Sequence, residues 1–195
     1  MFGKEWDRIS ATQYVLFGGG FLVLVALSLA CEPGFIWVID HANLLFHEAG
    51  HPLVGFFSTR LEPYGGTIGQ LAFPILLAIS GWRKGKLLLF AVGLIWLFEN
   101  FLNIARYMAD ARVLQLPLIG GGDHDWNTIL ARWDILMYET RIAQALRIIG
   151  WVGMITTVAA VYVRAFFARE RKASESAQLL SVANHKRAAE HRKSY

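Results

Sequence analysis

Five apolar runs follow one another along the chain, at residues 14–30, 35–58, 67–82, 86–106 and 142–163. That pattern constrains the fold more than any other feature. A helix needs about 20 predominantly apolar residues to cross the hydrocarbon of a bilayer. Within lipid, every backbone N–H and C=O must be satisfied inside the spanning segment, which favours helices. The runs therefore predict an all-α, polytopic membrane helix bundle of about five spans. Composition agrees: 55% of the residues are hydrophobic and 17% are charged, where soluble domains show roughly 45–50% and about 25%.

The runs are not equivalent. The first has 17 residues, and acidic residues before it with Cys-Glu-Pro-Gly after it fit an uncleaved anchor better than a signal peptide. The third is short and carries Gln70 and Pro74, so it is expected to be a tilted span or a re-entrant segment. Before it, "YGGTIGQ" at residues 64–70 reads either as irregular backbone entering the bilayer or as small-residue helix packing. After the fourth run, Ile129, Trp133, Leu136 and Met137 share one helical face. This predicts a helix lying at the membrane surface or against the bundle.

Charge divides the chain in two. Residues 164–195 hold eight Lys/Arg and three Asp/Glu, a net +5, so residues 1–163 carry about −1 of the total +4. The expected division is an integral membrane domain over 1–163 and a basic tail over 164–195. The tail suits contact with anionic lipid, and no motif accompanies its charge that would suggest nucleic acid. Arg83, Lys84 and Lys86 crowd one short loop, and two spans separate them from the tail. Both are therefore expected on the cytoplasmic side of a multi-pass bacterial inner-membrane protein. The single cysteine, Cys31, excludes an internal disulfide and a Cys-rich metal motif.

The second run breaks the apolar pattern with "DHANLLFHEAGH" at residues 40–51. His47, Glu48 and His51 form an H-E-x-x-H motif. On a helix, residues four apart present two imidazoles to one metal, and the glutamate beside them can take a proton from a water there. Two histidines and a glutamate are costly in lipid without such a purpose. Asp40 and Asn43 lie near the same stripe, and Asp40 can accept the second ring N–H of a ligand histidine or of His41. Pro52 can kink the helix.

A catalytic zinc site usually needs a third protein ligand. The richest source is "GGGDHDW" at residues 120–126, where Asp123, His124 and Asp125 follow three glycines. The fourth run adds Glu99, Asn100, Asn103, Arg106 and Tyr107, read as a polar cavity lining. Gln70 and Asn103 can position a substrate or stabilise an oxyanion.

These pieces resemble the site-2 protease group of intramembrane zinc peptidases, which place H-E-x-x-H on a membrane helix and take an aspartate from a later segment. "QLPLIGGGDHDW" is a loose counterpart of that segment. Over residues 44–133 the chain also resembles a bacterial family of small membrane proteins sharing "HEAGHP", "YGGTIGQL", "ARYMADAR" and "GGGDHDW". That resemblance points to His124 and Asp125 ahead of Asp123 as third ligand. The function it implies is an intramembrane zinc metalloprotease with Zn2+ on His47 and His51 and Glu48 as base. Its partners would be membrane lipids and a membrane-protein substrate. The alternative is a non-enzymatic subunit or anchor that meets partner subunits of a larger complex. A zinc hydrolase acting on a lipid is a third reading.

Overall fold

The computed structural model describes residues 5–31, 35–118 and 123–193, with side chains as far as Leu179 except at 172, 173 and 175. Gly120–Gly122 and the side chains of the distal tail lie outside the described residues. The described residues form six α-helices in order: α1 (Ala11–Ala30), α2 (Trp37–Gly55), α3 (Glu62–Arg83), α4 (Leu87–Ala109), α5 (Asp125–Arg132) and α6 (Glu139–Lys193). A single 3-10 turn, Leu136–Tyr138, precedes α6. No strand occurs among the described residues.

Among the described residues, four helices are long and apolar enough to cross a membrane: α1, α3, α4 and the stretch containing α6. This marks a membrane protein, and the expected fifth span is the difference. Helix α2 has the length, but Asp40, His41, Asn43, His47, Glu48 and His51 lower its hydropathy. Apart from the exposed His41, its polar residues point inward. Asp40, Asn43, His47 and Gly50 form its buried stripe, while Val38, Leu45 and Leu53 are more than half exposed. That inside-out pattern suits lipid on one face and a polar cavity on the other.

Helix α3 lies between α2 and α4, and α4 packs on α6. The segment at residues 64–70 is regular helix within α3, so the re-entrant and irregular expectations give way to small-residue packing. The backbone of Gly50 rests on Gly65 and Gly69, and a Cβ at Gly50 or Gly65 would collide with the facing backbone. Close approach between helices in lipid is favoured by such residues. Pro52 and Pro74 sit inside α2 and α3, and both helices continue past them.

The expected surface helix is also corrected. It splits at Trp133–Ile135, where Asp134 takes a positive φ of 57°, a conformation aspartate tolerates better than most. Its first part is α5, whose Ile129 and Leu130 are buried. Its second part opens α6, and Trp133 and Met137 are exposed. The core that seats α5 comprises Ile104, Ala105, Met108, Ala111, Leu130 and Ala143. A salt bridge from Arg112 Nε to the buried Glu139 carboxylate, at 2.6 Å, closes the same corner. Helix α6 runs through residue 163 without a break.

Gly50→Leu and Gly65→Leu are expected to destabilise the protein by about 1–3 kcal/mol or more through overpacking. Gly19, which has open space where a Cβ would stand, is expected to accept leucine with no loss. Thermal unfolding in detergent micelles measures both.

Candidate metal centre

His47 and His51 lie one turn apart on α2, with ring centroids 4.9 Å apart. Asp125 reaches them from the first residue of α5. Its Oδ2 lies 2.9 Å from His47 Nε2 and 3.3 Å from His51 Nε2. The three side chains can hold one metal ion, since their ligand atoms all lie within 4.8 Å of one another. His47 and Asp125 are buried and His51 is half-buried.

The other ring nitrogens decide the tautomers. His51 Nδ1 lies 2.9 Å from the Glu62 carbonyl oxygen. A carbonyl only accepts, so Nδ1 carries a proton, and in the neutral ring Nε2 then keeps a lone pair. His47 Nδ1 donates likewise to Gln70 Oε1 at 3.0 Å. Both Nε2 lone pairs then converge on a carboxylate oxygen. Acceptors that converge repel until a proton or a cation lies between them. Ligands at about 2.0–2.1 Å in tetrahedral geometry sit roughly 3.3 Å from each other, so the two spacings from Asp125 to the histidines, 2.9 and 3.3 Å, need about half an ångström of adjustment or less.

The surroundings fix these positions. A Cβ at Gly66 would overlap the His47 imidazole, so only glycine lets that ring lie against α3. Tyr107 Oη accepts from the Asp125 backbone N–H at 3.2 Å, and its ring packs edge-on to His47 at 5.7 Å. One turn before His47, Asn43 ties α2 to α4. Its Nδ2 donates to Glu99 Oε2 at 3.0 Å, and its Oδ1 accepts from Trp96 Nε1 at 2.8 Å and Asn100 Nδ2 at 3.1 Å.

Glu48 is half-buried and lines the same cavity, about 810 Å³ in volume, as His47, His51 and Asp125. No hydrogen bond or ion pair among the described residues occupies its carboxylate. Asp123 lines this cavity too but is exposed and lies outside the three-residue group.

Several expected roles move to other residues. His124 is not aimed at the cluster. Its Nδ1 caps α5 by accepting from Asn127 N–H at 3.3 Å, its ring stacks on Tyr107 at 4.0 Å, and its Nε2 faces Asp110 at 3.7 Å. Burial lowers its pKa against the pull of Asp110 and Asp125, which favours the neutral ring this cap requires. Asp40 does not back a histidine: its carboxylate accepts from Ile36 N–H and from Asn103 Nδ2. His41 Nδ1 bonds the Trp37 carbonyl instead. Gln70 takes the orienting role expected of Asp40, and Asn103 is held by Asp40. The Glu62 carbonyl left no signal in the sequence, because backbone does this work for any residue. Tyr107 stood in a polar stripe, but nothing there marked it as a clamp on Asp125.

Comparisons with protein-family models, curated proteins and solved structures find no match to this chain. What the cavity can do is read from its own chemistry.

The purified protein is expected to bind one divalent transition-metal ion per chain, measured by elemental analysis after dialysis. His47→Ala, His51→Ala and Asp125→Ala should each lose it, and His124→Ala should keep it. Gln70→Leu should weaken affinity about 10–100-fold, as loss of a histidine-orienting partner does. Metal kept by Asp125→Ala and lost by His124→Ala would contradict the assignment.

Proposed function

We propose that this protein is an intramembrane zinc metalloprotease that hydrolyses membrane-associated peptides. The observation that carries the reading is the pair of inward Nε2 lone pairs meeting Asp125, with the unoccupied Glu48 carboxylate beside them. Two imidazoles and one carboxylate leave a fourth position open, as catalytic zinc sites do. The resemblance of "HEAGH" and its distant aspartate to site-2 proteases points the same way.

Bound there, zinc would act as a Lewis acid and lower the pKa of a water molecule. The chain supplies the rest. His47, His51 and Asp125 hold the ion. Glu48 takes the proton of the attacking water and returns it to the leaving amine, so that hydroxyl adds to the carbonyl carbon as the C–N bond breaks.

The site belongs near one edge of the membrane. Gln70 lies eight residues into α3, about 12 Å along the helix, and Tyr107 lies in the last turn of α4. Both are at the end of the bundle away from Arg83, Lys84 and Lys86. With that basic loop and the C-terminal tail cytoplasmic, the cavity faces the outer side of a bacterial inner membrane.

Helix α1 favours a second reading. None of its residues is fully buried, and it meets the bundle mainly through Tyr14 and Phe17, which suits an anchor that meets partner subunits, with the metal structural.

Glu48→Gln separates the two. As a protease, the variant keeps its zinc and loses about 10²–10⁴-fold in cleavage of a membrane-tethered peptide, the usual weight of a general base. Unchanged cleavage removes Glu48 from the chemistry, and a wild type that cuts no peptide favours the anchor.

A further inference from the structure

Resting on the peptidase reading of this cavity, we propose that Arg106 anchors a carboxylate of the peptide substrate. Arg106 lies in the last turn of α4 and lines the cavity that holds His47, His51 and Asp125. Its guanidinium sits over the Phe35 ring, 5.1 Å from the centroid. Its Nε is buried and has no hydrogen-bond partner. No carboxylate of the described residues stands within ion-pair distance of it. Three other cations of the bundle are engaged: Arg112 with Glu139, Lys86 with Asp7, and Arg132 with the Arg60 carbonyl. Asp40 is within electrostatic reach of Arg106, but its oxygens already accept from Ile36 N–H and Asn103.

A partly desolvated guanidinium with no carboxylate in direct contact is costly, and a cavity open to substrate is where such an anion arrives. The planar fork of arginine fits a carboxylate in bidentate fashion. A phosphate dianion fits less well, since Asp40, Glu48, Asp123 and Asp125 line the same space and like charges brought together are strongly disfavoured. Arg106 is held at the Phe35–Asp40 end of the cavity. Asp40 precedes His47 by seven residues, about 10 Å along α2, which extended peptide covers in about three residues. The carboxylate is therefore either a free C-terminus or an acidic side chain about three residues from the scissile bond.

The test uses full-length, zinc-loaded Glu48→Gln protein in micelles and three fluorescently labelled peptides of one apolar sequence. One has a free C-terminus, one is C-amidated with a single internal glutamate, and one is C-amidated and uncharged. Fluorescence anisotropy should show one acidic peptide binding about tenfold tighter than the neutral one, the usual weight of a charged hydrogen-bonded pair. Which acidic peptide it is identifies the source of the carboxylate. Adding Arg106→Gln should erase the preference and leave neutral-peptide binding unchanged. Arg106→Lys, which keeps the charge, should retain part of it. Equal binding of acidic and neutral peptides, no binding of any, or a preference that survives Arg106→Gln overturns the proposal. Wild-type protein that cleaves all three peptides equally would sink the anchor while the peptidase reading stands. Acid-selective binding without wild-type cleavage would support the anchor and count against that reading.

Discussion

Two imidazole lone pairs and a carboxylate oxygen meet in the interior of this protein, at 2.9 and 3.3 Å. With both rings neutral and protonated at Nδ1, that contact is repulsive, and the surrounding structure is arranged to hold it. The Glu62 carbonyl and Gln70 fix the outer nitrogens of the rings. Gly66 makes room for His47, and the Gly50–Gly65 contact brings α3 close enough for Gln70 and Glu62 to reach. Tyr107 holds the Asp125 backbone, and the core under Leu130 holds the helix that Asp125 begins. A single shared proton would relieve one of the two close pairs. A divalent cation relieves both.

The same constraint explains why α2 differs from its neighbours. A helix that must present Asp40, Asn43 and His47 inward cannot also be uniformly apolar. Its polar stripe is compensated by partners on α4, chiefly the Asn43 amide with Glu99, Asn100 and Trp96 and the Asp40–Asn103 bond. Buried polar groups that satisfy one another rigidify a site, whereas half-satisfied ones destabilise it. This network lies one to two turns from His47, so it sets the rotation of α2 about its axis and with it the direction of both imidazoles.

Much of this was legible in the sequence. Apolar runs located the long helices because lipid leaves few backbone solutions. The four-residue spacing of His47 and His51 placed both on one face because helix geometry does so without help from tertiary structure. The distant ligand was narrowed to a three-residue stretch, yet choosing Asp125 over His124 depends on where α5 begins, and a shift of one residue turns a side chain by about 100°. His124 fell at the cap and Asp125 at the first helical position. The glycines of residues 64–70 were ambiguous because a flexible loop and a tight helix contact use the same residue for opposite reasons. The backbone carbonyl of Glu62 carried no side-chain signature at all.

X-ray absorption at the zinc edge of the loaded protein tests the convergence most directly. Two imidazole nitrogens and oxygen-only remaining ligands, at about 2.0–2.2 Å, are expected. A spectrum with one imidazole or none, or a protein that takes up no zinc while His47, His51 and Asp125 are intact, would contradict it.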